Sequence, residues 1–102
     1  MSSIEQNDDR IELVTIDLTN VKSSIQLHRM LKSNLDFPDC YGMNWDAFWD
    51  AITGLVEMPK KLILIGWKSV EEVIPNDAVL MINLLNKLNE KHPSWGCEVE
   101  YK

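Results

Sequence analysis

The sequence predicts an α/β fold: a small three-stranded parallel sheet with helices packed on it. The first observation is the order of patterns along the chain, which runs strand, two helices, strand, one or two helices, strand. Crossovers that contain a helix join parallel strands. The second is the apolar run "KLILIGW" (61–67), which is typical of a strand in the middle of a sheet.

Length and composition set the limits on function. A chain of 102 residues with 45% apolar and 25% charged residues forms one ordinary domain. We expect a flexible segment at 1–10 and a single domain at 11–102. The formal charge of −6 disfavours nucleic acid and anionic membranes, and it suits either a basic partner or simple solubility.

Neither a membrane span nor a signal peptide is visible, so we expect a cytoplasmic protein. Cys40 and Cys97 are too few and too far apart for a disulfide framework or a zinc site. The chain has no phosphate-binding glycine-rich loop, and no spacing of a nucleophile with His28 or His92. We therefore predict no cofactor and no metal.

The first strand and the first helix have clear signals. "ELVTIDL" alternates, with Val14, Ile16 and Leu18 on one face, as a half-buried strand does. Ser23 and Gln26 form a capping-box pattern, which predicts a helix at about 24–35. His28 falls on the polar side of that helix.

A loop and a second helix follow. "DFPDCYG" carries Pro38 and Gly42 and reads as a loop. Asn44 is a good N-cap, and Pro59 ends the helix. Its apolar face is Trp45, Phe48, Trp49, Ile52 and Val56.

After the central strand, "KSVEEV" predicts a short helix, and a longer one follows Pro75 with Asn76 or Asp77 as its cap. Pro93 closes this helix. "GCEVEY" then alternates as a last strand with one wet face.

An acidic stripe follows the second helix, because Asp46, Asp50, Thr53 and Glu57 are spaced by four, three and four residues. Asp36 and Asp39 in the preceding loop extend it. A solvated face is one interpretation, and a surface for the Arg and Lys of a basic protein is another. Catalytic or metal-binding carboxylates are a third, although such groups converge in a cleft and these point outward along a helix.

The aromatic residues divide into two groups. We expect Trp49 in the core. Trp45, Trp67 and Trp95 belong either to the core or to its rim, and the core is the favoured place for each. Tyr41 lies beside Gly42 in the acidic loop, and an aromatic side chain there predicts a packing partner at the rim of a binding surface.

The stretch "YGMNWDAFWDAITGLVEMP" resembles the barstar family of intracellular ribonuclease inhibitors. The resemblance rests on Tyr41, Gly42, Asn44, Asp46, Ala47, Trp49, Asp50, Thr53, Gly54, Glu57 and Pro59. It implies a barstar-like fold and an inhibitor that inserts its loop and helix start into a nuclease active site. Asn44, Asp46 and Asp50 are the implied contacts, with Asp50 as the anchor.

Two departures from the family pattern concern specificity. Cys40 and Leu55 stand where the family often has aromatic residues, so a barnase-like enzyme, another basic ribonuclease and the nuclease domain of a larger toxin all stay open as the partner. A late-helix acidic contact has Glu90 as its candidate.

The sequence thus predicts a non-enzymatic, monomeric inhibitor of a basic ribonuclease or toxin nuclease domain, of the immunity type. The alternative is an adaptor of the same fold with a non-nuclease partner. The candidate partner-binding residues are Asp39, Tyr41, Gly42, Asn44, Trp45, Asp46, Trp49, Asp50, Thr53 and Glu57, together with Glu90.

Overall fold

A computed structural model describes residues 9–102 and contains the predicted parallel sheet. Its strands are β1 (Leu13–Asp17), β2 (Lys61–Ile65) and β3 (Glu98–Tyr101), in the order β1-β2-β3. Both pairings are parallel, with Ile16 opposite Leu64 and Leu64 opposite Tyr101. The α/β prediction and the central position of β2 are therefore confirmed.

The helices lie in the two crossovers. The first contains α1 (Ser24–Asn34) and α2 (Trp45–Asp50), and the second contains α3 (Trp67–Val73) and α4 (Pro75–Lys91). None of the helices among residues 9–102 has the length and apolar character to cross a membrane.

One apolar cluster joins the sheet to the helices. In β2, Leu62 and Leu64 are fully buried while Ile65 is 39% exposed, so the strand faces the core on one side. Burying a Leu or Phe side chain contributes about 1.5–3 kcal/mol, which makes this cluster the main source of stability. The cluster also contains Ile16 of β1, Leu27 and Leu31 of α1, Phe48 of α2, and Met81, Leu85 and Leu88 of α4.

Side chains tie both ends of the described chain to the fold. The Arg10 guanidinium donates to the Gly96 carbonyl at 3.0 Å. The Asn89 amide of α4 donates to the Cys97 carbonyl at 2.8 Å, and its oxygen accepts from the Cys97 N–H at 2.6 Å. Residues 1–8 of the expected flexible segment 1–10 lie outside the described residues, and that division of the chain stays a prediction.

The second helix differs from the prediction beyond Asp50. Ala51–Leu55 forms a π-helical turn, closed by a bond from the Val56 N–H to the Ala51 carbonyl at 3.1 Å. The Thr53 hydroxyl donates to the Trp49 carbonyl at 2.6 Å, which occupies an acceptor of the preceding turn. The expectation of one helix from the Asn44 cap to Pro59 is therefore wrong beyond Asp50.

The start of α4 also differs. Pro75 is the first helical residue and Ile74 the N-cap, so neither Asn76 nor Asp77 caps the helix. Proline suits this position because it lacks the N–H that would be unpaired there. The Asp77 carboxylate is instead bonded to side chains of α1 and α2.

Two predicted side-chain environments are wrong as well. His28 is fully buried rather than on the polar side of α1, and Trp95 is 38% exposed rather than in the core. Trp95 lies in a short 3-10 turn (Pro93–Trp95), where its ring stacks on His92 with centroids 4.0 Å apart. Trp67 is buried as expected, whereas Trp45 and Trp49 are half-buried.

Candidate functional site

The loop before α2 is held by the residue that caps the helix. The Asn44 side-chain oxygen accepts from the Ala47 N–H at 2.8 Å, which satisfies one of the free donors of the first turn. Its amide nitrogen donates back to the Gly42 carbonyl at 3.0 Å. Between them Met43 has a φ of 56°. The loop and the helix start are therefore one local unit.

Close packing around position 42 explains why a glycine stands there. A Cβ at this position would come within 3.3 Å of both the Ala47 Cβ and the Asn44 side-chain nitrogen. A side chain would therefore press against the capping bond that fixes the helix start.

Asp46 and Asp50 project into solvent from α2. Together with Trp45 and Trp49 they form one wall of a groove of about 400 Å³ between α2 and α4. We call it the α2–α4 groove. Its other wall is Leu80, Asn83, Leu84 and Lys87 of α4.

The α4 wall contributes a cation and an exposed apolar side chain. The Lys87 Nζ lies 4.4 Å from the centroid of the Trp49 ring, and Leu80 is 46% exposed. Glu90, the predicted late-helix acidic contact, does not line the groove.

The π-helical turn divides the predicted acidic stripe, so that Thr53 and Glu57 lie apart from Asp46 and Asp50. Thr53 and Glu57 line a second hollow with Leu55 and Trp95 rather than the α2–α4 groove. Glu57 comes after Val56, whose backbone is extended, so it lies beyond the helical turns. The prediction of one continuous helical stripe is wrong beyond Asp50.

Tyr41 is 6% exposed, so its expected position at an exposed rim is wrong. Its hydroxyl and the His28 Nδ1 are joined by a hydrogen bond of 2.7 Å, and its ring packs on Phe37 with centroids 4.7 Å apart. Burial raises the pKa of Tyr41 well above its usual value. Tyr41 therefore anchors the loop from inside, and its neighbours Gly42 and Asn44 are exposed.

The buried histidine lies beneath Trp45, with ring centroids 4.3 Å apart. Burial lowers the pKa of His28, and the nearby Asp77 carboxylate opposes this in part. The His28 Nε2 has no hydrogen-bond partner among the described residues. A charged imidazolium would leave that N–H buried without an acceptor, so the neutral ring is favoured.

Asp77 connects α4 to both helices of the first crossover. One of its carboxylate oxygens accepts from the Trp45 Nε1 at 2.7 Å and from the Ser24 hydroxyl at 2.8 Å. The half-buried Trp45 is thereby fixed at its polar end and packed on His28. The two walls of the α2–α4 groove are thus held in one relative position.

The remaining loop residues lie at the surface. Asp36, Asp39 and Cys40 are exposed, and the Asp39 carbonyl accepts from the Lys32 ammonium at 3.4 Å. Asp36 has a φ of 61° and lines a hollow with Leu55 and Glu57 that shares no lining residue with the α2–α4 groove.

The chemistry open to this surface is recognition of cations. Asp46 and Asp50 are exposed carboxylates that take part in none of the ion pairs among residues 9–102. No group of His, Cys, Asp and Glu in that range could hold a metal ion. Such carboxylates accept paired hydrogen bonds from Arg, and the apolar groove beside them can pack an aliphatic or aromatic side chain.

The three parallel strands and the helices of their two crossovers define a small α/β domain, with a capped acidic helix beside a groove. Residues 11–100 match the family model described as barstar (barnase inhibitor), and the chain belongs to the barstar family. A putative ribonuclease inhibitor of Bacillus subtilis (strain 168), YrdF, is 47% identical over 51 residues. That match covers 50% of this chain and 56% of the relative, so the chain spans about half the length of this relative.

Sequence reasoning missed several residues around the site. The sequence pattern placed His28 on the polar side of its helix and Asp77 at a helix cap. In the structure the His28 ring packs on Trp45, and the Asp77 carboxylate accepts a hydrogen bond from the Trp45 indole. The α4 wall has helical spacing at Leu80, Leu84 and Lys87, which could have indicated a shared face. The position of the α4 wall opposite α2 depends on how the two crossovers pack together. The sequence pattern does not predict that packing.

Proposed function

We propose that this protein is an inhibitor of a basic ribonuclease and that it blocks the enzyme's active site with the loop before α2, with α2 itself and with the α2–α4 groove. The observation that carries the proposal is the pair Asp46 and Asp50, exposed on a capped helix start and outside every ion pair among residues 9–102, in a chain of the barstar family. The name of the relative YrdF points to the same class of partner.

The mechanism is occupation of a phosphate-binding cleft. A ribonuclease binds RNA phosphates with Arg, Lys and His. Carboxylates of an inhibitor can form ion pairs with the same side chains when they lie where the phosphates would bind. Asp50 is the proposed anchor, and Asp46 pairs with a neighbouring cation of the nuclease. Asn44 forms a further hydrogen bond with backbone or side-chain groups of the nuclease nearby. No bond is formed or broken, because inhibition requires only that the cleft be filled.

Rigidity of the surface supports tight binding. The Asn44 cap, the buried Tyr41 and the Asp77 carboxylate fix the helix start before any partner arrives. A surface that is already ordered loses little conformational entropy on association. The protein is proposed to act in the cytoplasm as a monomer, as an immunity protein for a self-made or foreign nuclease.

The test is a titration of this protein into barnase and a panel of other small basic ribonucleases, following RNA cleavage. We expect stoichiometric inhibition of at least one enzyme. Asp50→Ala should then weaken inhibition at least about tenfold, because a buried cation of the nuclease is left unpaired.

Glu72→Ala is the matched control, since Glu72 is an exposed acid on α3 that does not line the groove. A change of less than twofold for Asp50→Ala, equal to that of the control, would show that the site is placed wrongly. An absence of inhibition across the panel, with a non-basic protein captured instead, would favour the adaptor alternative.

A further inference from the structure

Lys87 is the cation of the α2–α4 groove. It lies on α4, across from the carboxylates of Asp46 and Asp50, and its Nζ is 4.4 Å from the Trp49 ring centroid. None of the ion pairs among residues 9–102 includes Lys87. The groove therefore presents an ammonium and two carboxylates that do not neutralise one another directly.

The indole holds this ammonium in place. A cation over the face of a tryptophan gains about 0.5–1 kcal/mol at an exposed site. Lysine side chains are otherwise flexible, so the contact with Trp49 gives Lys87 a preferred position at the groove. Asp46 and Asp50 consequently attract cations, whereas the Lys87 ammonium that α4 places over the Trp49 ring repels them.

This separation of charge limits which partner fits. A nuclease that offers only Arg and Lys to the groove meets Asp46 and Asp50 favourably but places a cation near Lys87. Like charges brought together at an interface are a recognised means of excluding wrong partners. A nuclease with a carboxylate or another acceptor beside its phosphate-binding cations makes favourable contacts with both charges: its cations pair with Asp46 and Asp50, and its acceptor pairs with Lys87.

We propose that Lys87 is a specificity-determining residue, which selects nucleases with an acceptor at this position and weakens binding to those whose cleft presents cations alone. The proposal rests on the inhibitor function proposed above. It states which chemical group of the partner the Lys87 side of the α2–α4 groove accepts.

The test uses barnase as the probe and compares its dissociation constant and association rate for the wild-type chain, Lys87→Glu and Lys87→Met. Lys87→Glu should strengthen binding about tenfold, since it converts a repulsive contact into an attractive one. Lys87→Met keeps an apolar side chain over Trp49 and should give about a threefold gain.

Lys68→Glu is the matched control because it makes the same change in net charge. Lys68 is exposed on α3, in a separate hollow with Trp67 and Tyr101. At physiological salt, exposed charges more than about 8 Å apart are largely screened, so this variant should change affinity by less than twofold.

The proposal is overturned if Lys87→Glu behaves as Lys68→Glu does, or if it weakens binding. It is also overturned if no Lys87 variant binds barnase, since removal of the repulsion should reveal the affinity of the two carboxylates. Failure of the inhibitor function has a different signature: the wild-type chain inhibits no ribonuclease of the panel, and Asp50→Ala has no effect in any assay.

Discussion

At the scale of single residues, Gly66 shows how one position can control an element junction. It caps α3 with a φ of 79°, directly after β2. A Cβ there would lie 2.7 Å from the Thr19 backbone nitrogen and Cα. Both the backbone conformation and the lack of space exclude a side chain.

Gly66→Ala should therefore lower the free energy of unfolding by at least about 1 kcal/mol, measured by urea denaturation. Gly54→Ala is the control, because among residues 9–102 no atom outside its chain neighbours and its own helical backbone lies within 4 Å of the Cβ it would add. We expect that control to be neutral or slightly stabilising. Equal stability of the two variants would contradict the assigned role of Gly66.

His28 makes stability depend on pH. Burial lowers its pKa in the folded chain, whereas in the unfolded chain it is near the ordinary value of about 6.5. Below that pH the unfolded chain binds more protons, so stability is full above about pH 6.5 and falls as the pH drops.

Urea unfolding of the wild-type chain and of His28→Gln from about pH 5 to about pH 8 measures this effect. The wild-type free energy should rise with pH more steeply than that of the variant in the lower half of the range. Parallel curves for the two proteins would show that His28 does not titrate between the folded and unfolded states.

At the scale of elements, Asp77 is the contact that joins the two crossovers through polar groups. Asp77→Ala removes the acceptor of the Trp45 Nε1 and of the Ser24 hydroxyl. Leaving partly buried donors without acceptors costs on the order of 1–3 kcal/mol. We expect that loss in thermal or urea unfolding.

Asp77→Asn keeps a side-chain oxygen at the same place and should lose less than half as much stability. The indole N–H resonance of Trp45 in a ¹⁵N–¹H spectrum should shift strongly in the alanine variant and modestly in the asparagine variant. Identical stability losses for both variants would indicate that charge, rather than the shared acceptor, is what matters.

Element types were predictable from the sequence, and their irregularities were not. Ser23 and Asn44 cap α1 and α2 as their patterns indicate, since each side-chain oxygen accepts a backbone N–H three residues on. The π-helical turn depends on the Thr53 hydroxyl competing for a backbone carbonyl, which no periodicity records. His28 is buried because Trp45 of α2 packs on it. Its position on α1 alone predicted exposure, since the contact with α2 is not visible in the helical pattern.

At the scale of the whole molecule, the formal charge of −6 predicts that association with the proposed basic ribonuclease partner depends on salt. Long-range attraction accelerates encounter and is screened by ions. The association rate should fall several-fold between about 20 mM and about 150 mM salt, while the dissociation rate changes less. Stopped-flow fluorescence would measure both, and a salt-independent association rate would contradict the steering role of the charge.

The sequence predicted the sheet and half of the candidate site. The central apolar strand and the helical crossovers define the parallel topology, and the spacing of Asp46 and Asp50 defines one wall of the groove. The opposite wall depends on how α4 packs against α2. Lys87 is more than thirty residues beyond Asp50 in the chain, so no local pattern could place it beside Trp49.

The two walls of the groove come from different crossovers, α2 from the segment between β1 and β2, and α4 from the segment between β2 and β3. An unfolded chain still carries the acidic sequence, but it has no groove. Recognition is therefore a property of the completed fold, and a partner that binds only this state stabilises it by mass action. With the proposed nuclease partner bound, this protein should thus be more resistant to proteases than the free protein is.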